Sequence, residues 1–145
     1  MTITITNQHE TIKMFLIDTS VWIMIFRDKT GNSRQTLESI IKDDNIFLTR
    51  FTQMELLQGC RDEREWRLLE TYLEDQDYIE VNYSTWVAAA RIYYDLQRQG
   101  LTVRSSIDCC IAQLTIDAQL TLIHNDRDFE MIQRVRSFQG IRFQP

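Results

Sequence analysis

The chain has 145 residues, 43% of them hydrophobic, and a formal net charge of −5. This length can bury the core of one domain, and the composition excludes disordered and fibrous proteins. The negative charge argues against a protein that holds nucleic acid by bulk electrostatics. However, only three of the 16 basic residues are lysine, and the guanidinium of the other basic side chains suits phosphate groups.

The sequence predicts a cytoplasmic protein of one domain, residues 1–145. No apolar run approaches the roughly 20 residues that cross a bilayer, and the N-terminus lacks the pattern of a signal peptide. Residues 1–13 are expected to form a loose leader or a short strand, and Met14 is an alternative start. The three cysteines Cys60, Cys109 and Cys110 cannot all pair, so we expect free thiols in or near the core.

Strand and helix patterns alternate along the chain. The apolar run Met14–Ile17 is too short for a helix and predicts a first strand that is buried on both faces. Further strands are predicted at 46–48, 78–81 and 120–123, with 141–143 as an optional fifth. Helices are predicted at 21–26, 37–41, 51–59, 66–73, 84–99, 107–118 and 129–135. The alternation predicts a three-layer α/β/α sandwich with a central, mostly parallel sheet of four or five strands.

Apolar periodicity predicts which side chains of the helices face the core. In the third helix Met54 and Leu57 are expected to point inward, and Gly59 to lie near its end. The long helix that Gly100 ends is expected to bury Trp86, Ala89, Ala90, Tyr93 and Leu96. The next helix has the cleanest repeat, a single apolar stripe formed by Ile107, Cys110, Ile111, Leu114 and Ala118.

Four acids stand near the predicted strand ends: Asp18, Glu55, Asp108 and Asp126. Each is expected in the first turn of a helix, and each has a plain structural interpretation. Asp18 and Asp126 could be N-caps, while Thr52 to Glu55 and Ser105 to Asp108 have the spacing of a capping box. In an open α/β sheet the turns that follow the strands crowd one edge, so the four acids are also expected to meet there.

A cluster of carboxylates is tolerable only if a proton or a cation is shared between them. Oxygen ligands suit a hard divalent cation, so the expected cofactor is Mg²⁺ or Mn²⁺.

Four segments carry a resemblance to a known family: 18–21 (DTSV), 52–59 (TQMELLQG), 104–112 (RSSIDCCIA) and 124–129 (HNDRDF). In this order and spacing they resemble the PIN domain family, and more narrowly the VapC toxins of bacterial toxin–antitoxin pairs. The likeness runs from about Met14 to Phe143. It implies a metal-dependent ribonuclease that forms a homodimer. It also implies a VapB-type antitoxin whose C-terminal segment blocks the active site.

The resemblance assigns Asp18, Glu55, Asp108 and Asp126 to the acidic quartet of the family, and Ser20 to a hydroxyl that supports the metal site. The chain departs from the family at His124, where Ser or Thr is more common. There His124 could be a general acid or a local hydrogen-bonding residue. Asp128 lies two positions after Asp126 and is an alternative fourth acid; Asp126 is favoured because it follows the strand more closely.

The predicted mechanism is hydrolysis of RNA phosphodiester bonds by water bound to one or two Mg²⁺ ions. Asp18 and Asp108 are expected to bind metal directly, and Glu55 and Asp126 through water or a second ion. Three arginines beside the motifs are candidates for contacts with RNA phosphates, although each could equally pair with a surface acid: Arg50, Arg104 and Arg127.

Other classes of protein fit parts of the pattern. A PIN-like binding module without activity would share the motifs, but retention of all four acids counts against it. An aspartyl-phosphate phosphatase would use Asp18 as nucleophile, yet Ser20 stands where a second aspartate is usual. A receiver domain phosphorylated on Asp18 would need a late lysine, and the lysines of the chain end at Lys42.

Overall fold

A computed structural model describes residues 13–145, within which five strands alternate with helices. The strands are β1 (Met14–Ile17), β2 (Asn45–Thr49), β3 (Tyr78–Ile79), β4 (Thr121–His124) and β5 (Gln139–Arg142). The helices are α1 (Thr19–Arg27), α2 (Asn32–Ile41), α3 (Arg50–Gln58), α4 (Glu63–Glu74), α5 (Tyr83–Arg98), α6 (Ser106–Asp117) and α7 (Arg127–Ile132). The expected leader or strand in residues 1–13 falls outside the described residues, apart from Lys13.

The five strands form one sheet in the order β3-β2-β1-β4-β5, and all neighbouring strands are parallel. The central strand β1 has the bounds that its apolar run predicts. The fifth strand is also present, although it begins two residues earlier than predicted, and Ile141 pairs with Ile123. The carboxyl ends of β1, β2 and β4 therefore meet at one edge of the sheet.

The side chains of β1 alternate between two hydrophobic layers, as the period of a strand requires. Phe15 and Ile17 belong to the layer that contains side chains of α1, α2, α3 and α4. Leu16 belongs to the opposite layer, which α5, α6 and α7 cover. This arrangement confirms the predicted three-layer α/β/α sandwich.

Helix ends follow local backbone chemistry more closely than apolar periodicity. Gly100 has a φ of +70°, a conformation that favours glycine, and it follows the last turn of α5 as predicted. The last helix is shorter than predicted, because α7 ends at Ile132 and Val135 lies in the turn after it.

Several predictions of buried side chains are wrong. Met54 is 53% exposed, Trp86 is 52% exposed, and Ala90 is also exposed, whereas Ile92 of α5 is fully buried. Both helices have more apolar side chains than their core-facing sides can bury, so periodicity alone could not choose among them.

Helix α6 buries more side chains than the single apolar stripe that the sequence predicts. Cys109, Ala112 and Thr115 are buried beside the predicted Cys110, Ile111 and Leu114.

Cys109 and Cys110 are buried free thiols, as expected, and Cys60 is partly buried. No helix among residues 13–145 has the length and apolarity needed to cross a membrane.

Candidate active site

Asp18 ends the central strand and caps the helix that follows it. Its carboxylate Oδ2 accepts hydrogen bonds from the backbone N–H of Ser20 (3.1 Å) and from the Ser20 hydroxyl (2.6 Å). The same hydroxyl accepts from the backbone N–H of Asn125 (3.0 Å), and the Asp18 N–H donates to the carbonyl of Ile123 (2.9 Å). Ser20 therefore ties the ends of β1 and β4 together and fixes the orientation of the Asp18 carboxylate.

Glu55 lies in the second turn of α3, so the prediction that it occupies the first turn is wrong. The predicted capping box from Thr52 to Glu55 is also wrong, because Thr49 is the N-cap and accepts from the Thr52 N–H (3.2 Å). The Thr19 hydroxyl lies 2.9 Å from Thr52 Oγ1 and 3.3 Å from Glu55 Oε1. These threonine hydroxyls link the start of α1 to α3 and hold Glu55 near the end of β1.

Asp108 lies in the first turn of α6, as predicted, but it does not complete a capping box. The N-cap Ser105 accepts from the Ile107 N–H (3.1 Å), and the Asp108 carboxylate accepts no hydrogen bond from residues 13–145. Its pKa is raised to about 7. Burial is the largest cause, and repulsion follows from four other carboxylates: Asp18, Asp126, Asp128 and Glu55.

The fourth and fifth acids belong to the start of α7. Asp126 caps this helix by accepting from the Asp128 N–H (2.9 Å). Carboxylate oxygens of Asp108, Asp126 and Asp128 all lie within 4.8 Å of one another. Asp18 and Glu55 stand outside this tight set, although the charge of Asp18 helps to raise the pKa of both Asp108 and Glu55, in each case after burial.

The donor set fits a hard divalent cation. All the candidate ligands are carboxylate oxygens, which Mg²⁺ and Mn²⁺ prefer over softer groups. A pocket of about 280 Å³ opens onto this set. It is lined by Glu55, Arg104, Ser105, Ile107, Asp108 and Asp126. Burial also raises the pKa of Asp18, so at least three carboxylates of the site are costly to ionise without a cation.

His124 has a local hydrogen-bonding role, which was one of its two predicted roles. The imidazole is buried, and Nδ1 accepts from the Asp126 N–H (3.2 Å). Burial lowers its pKa, and its ring packs on Phe129 with 5.0 Å between the centroids. The neutral ring therefore helps to shape the turn that presents Asp126.

The three predicted RNA-contacting arginines have different surroundings. Arg50 pairs with Glu80 (2.9 Å) and its guanidinium lies 3.8 Å above the ring of Tyr78. Arg104 lies in the pocket and pairs with Asp126 and Asp128. Arg127 is exposed and forms no ion pair with residues 13–145.

Sequence reasoning missed the polar residues that support the acids. Thr19, Thr52 and the backbone N–H of Asn125 hold the carboxylates or join their elements. The sequence could have indicated the role of Thr19, because its hydroxyl stands between Asp18 and Ser20 at the end of a strand and therefore beside the predicted site.

Comparisons with known proteins agree with this fold. The sequence profile of the PIN domain matches residues 15–135. The VapC ribonuclease Mb1587 of Mycobacterium bovis is 32% identical over 133 residues, which cover 90% of this chain and 99% of the relative. Ribonuclease VapC11 of Mycobacterium tuberculosis shows the same identity and coverage.

Solved structures show the same fold at lower identity. VapBC2 from Rickettsia felis, bound to a promoter DNA fragment, has a TM-score of 0.73 and 16% identity, over 90% of this chain and 99% of that one. VapBC-1 from nontypeable Haemophilus influenzae has a TM-score of 0.70 and 18% identity, over 90% and 98%. The chain belongs to the PIN domain family, and within it to the group of VapC proteins.

Proposed function

We propose that this protein is a Mg²⁺- or Mn²⁺-dependent ribonuclease and the toxin of a toxin–antitoxin pair. The observation that carries the proposal is the carboxylate of Asp108, which is partly buried among other acids without a hydrogen-bond donor from residues 13–145. A cap or a surface ion pair would not need this arrangement, whereas a cation site does. The ribonuclease names of the relatives support the reaction.

Each acid has a distinct part in the proposed site. Asp108 and Asp126 would hold the cation, with Asp18 as a further ligand that Ser20 orients. Glu55, which Thr19 holds beside Asp18, would add a further negative charge to the site. A bound divalent cation supplies acidified water and neutralises charge on the phosphate. Asp108 must lose its proton to serve as a ligand, so cation affinity should rise with pH through about 7.

The surroundings of Asp128 favour Asp126 as the fourth acid. Oδ2 of Asp128 accepts from the backbone N–H of Arg104 (3.0 Å), so this carboxylate anchors the chain that precedes α6. The Asp126 carboxylate does not accept a hydrogen bond from the backbone of Arg104, and Asp126 lines the pocket. We therefore assign Asp128 a positioning role. Arg127, which has no ion pair with the described residues, is the best candidate for an RNA phosphate contact outside the pocket.

The proposed antitoxin partner fits a second pocket beside the acids. This pocket has a volume of about 440 Å³ and includes Glu55 in its lining. Its apolar lining comes from Ile23, Phe26, Leu56 and Leu69. Its cations are Arg27, Lys29 and Arg61, and Arg61 pairs with Glu65, which also lines the pocket. An apolar segment with acidic side chains would complement it. Co-purification with the product of an adjacent reading frame tests this partner, and the VapBC structures support it.

The proposed homodimer is supported by an exposed apolar surface on α3 and α5. Met54, Tyr83, Trp86 and Val87 are all more than half exposed in the single chain. Phe51 packs edge-on against Trp86 with 6.1 Å between the ring centroids, which joins the two helices into one patch. A second copy of the chain would cover it.

The activity is tested by RNA cleavage with and without divalent cation. Cleavage should require Mg²⁺ or Mn²⁺ and stop in excess EDTA. Asp18→Asn should fold normally and lose cleavage by at least about a hundredfold, because a neutral amide is a much weaker cation ligand. The exposed Asp43→Asn is the matched control and should keep full activity. Undiminished cleavage in EDTA, or by Asp18→Asn, would contradict the metal mechanism, whereas absence of cleavage under every condition would leave a binding module as the alternative.

A further inference from the structure

Arg104 fills the acidic pocket with a positive charge from the same chain. Its Nη2 lies 2.8 Å from both carboxylate oxygens of Asp126, and its Nε lies 3.3 Å from Oδ2 of Asp128. These two acids, with Asp108, form the set whose oxygens lie within 4.8 Å of one another. One guanidinium therefore contacts both the proposed cation ligand Asp126 and the positioning residue Asp128.

The backbone and the side chain of Arg104 are held differently. The backbone N–H donates to Asp128 Oδ2 (3.0 Å), which fixes the chain before α6. The side chain is 76% exposed, and its hydrogen bonds within residues 13–145 are those to Asp126 and Asp128. The side chain can therefore rotate into the pocket or into solvent while the backbone stays in place.

A divalent cation and this guanidinium would compete for the oxygens of Asp126. Asp126 Oδ1 already accepts from the Asp128 N–H, so Arg104 leaves neither oxygen of Asp126 free of a donor. A cation on the same carboxylate would face the guanidinium at a few ångströms, where the two positive charges repel each other, and more strongly in a partly buried pocket than in water.

We propose that Arg104 is an internal counter-ion that competes with the divalent cation for Asp126 and leaves Asp126 when the cation binds. This inference rests on the proposed cation site. In the absence of the cation Arg104 offsets part of the repulsion among the acids, so it stabilises the apo site and weakens cation affinity. The released guanidinium lies at the pocket, where a phosphate of the RNA substrate is its natural partner. Cation binding and substrate binding therefore favour each other.

The first test is a calorimetric titration of Mn²⁺ into the full chain and two variants at low ionic strength and fixed pH. Arg104→Gln should bind Mn²⁺ roughly fivefold more tightly than wild type, the size expected when an exposed ion pair no longer has to be broken. Arg91→Gln is the matched control, because Arg91 forms a comparable exposed pair with Asp95 on α5. Its affinity should stay within about twofold of wild type.

The direction in which the Mn²⁺ affinity changes in Arg104→Gln distinguishes two roles of Arg104, competition with the cation and positioning of the acids that bind it. If Arg104 positions the acids for the cation, Arg104→Gln should bind Mn²⁺ more weakly. A weaker or equal affinity overturns the inference but leaves the cation site intact. Equal tightening in Arg91→Gln also overturns it, because bulk charge would then explain the effect. Absence of Mn²⁺ binding in every form overturns both the inference and the proposed cation site.

The second test follows Arg104 in the wild-type protein and uses a variant only to assign its resonance. The Nε–Hε resonance of Arg104, assigned by its absence from the spectrum of Arg104→Gln or Arg104→Lys, is recorded by NMR during a Mg²⁺ titration. Release from the carboxylates should shift this resonance and speed its exchange with water, in step with occupancy of the site. A resonance that stays unchanged at saturating Mg²⁺ overturns the inference.

Discussion

Asp108 shows how one residue can link the stability of the fold to the proposed chemistry. Its helix is already capped by Ser105, so the carboxylate is not needed to begin α6. Burial and neighbouring charges raise its pKa to about 7, above its ordinary value near 3.8. Between these two values the native state holds more protons than the unfolded state. Stability should therefore fall as the pH rises through this window.

Replacing Asp108 with Asn tests this account. Without cation, at pH 7.5, Asp108→Asn should be more stable than wild type by about 1–3 kcal/mol, because a costly buried charge is removed. Its stability should also vary less between pH 4 and pH 7. Adding millimolar Mg²⁺ should stabilise wild type more than the variant, since the native variant binds the ion less tightly. Urea unfolding with and without EDTA measures both effects.

Asp43→Asn, at an exposed turn position, controls for the loss of one negative charge. An equal loss of stability in Asp108→Asn with and without Mg²⁺ would contradict the site and leave Asp108 as an ordinary member of the first helical turn.

At the level of elements, the site depends on a connection between β1 and β4. These strands are neighbours in the sheet but are far apart in the chain, and Ser20 joins their ends through Asp18 and Asn125. The hydroxyl donates to a buried carboxylate and accepts from a backbone N–H, so neither partner is left unsatisfied.

Ser20→Ala should therefore lower the free energy of unfolding by about 1–3 kcal/mol, because the partly buried Asn125 N–H and the Asp18 carboxylate both lose a partner. Ser39→Ala is the matched control. Its hydroxyl donates to the Thr36 carbonyl on an exposed part of α2, and its loss should change stability by less than about 0.5 kcal/mol. Urea unfolding of both variants gives the comparison. Equal, small effects would mean that Ser20 does not hold the strands together.

The strands were predictable from the sequence because their apolar runs are short and bounded by polar residues. The core-facing sides of the helices were less predictable, because α3 and α5 have apolar residues on more than one side. The acids could be placed at the sheet edge because Asp18 and Asp126 directly follow strands. The expectation of a first-turn position for Glu55 already conflicted with the predicted helix start at residue 51, and the structure places the start at Arg50, after the N-cap Thr49. Contacts between helices, such as that of Thr19 with Thr52, depend on tertiary structure that no local pattern records.

On the scale of the whole molecule, the wrong burial predictions fall together in space. Met54 and Trp86 were expected in the core, and both are more than half exposed in the isolated chain. The aromatic contact between Phe51 and Trp86 places them on one surface of α3 and α5. Large apolar side chains grouped on a surface are typical of protein interfaces, where aromatic residues and Met are enriched. This grouping supports the proposed homodimer, in which a second copy of the chain would cover the surface.

Trp86→Glu should convert the proposed dimer to a monomer. A two-fold interface buries the same patch of both subunits, so Trp86→Glu would desolvate two unpaired carboxylates in the dimer. Sedimentation velocity at micromolar concentration should give about twice the mass of the 17.3 kDa chain for wild type and a single-chain mass for the variant. The fold should survive, because Trp86 is already 52% exposed. Trp66→Glu, on α4, is the matched control and should remain dimeric, since Trp66 is exposed on a different helix. A monomeric wild type, or a dimeric Trp86→Glu, would contradict a dimer formed through this surface.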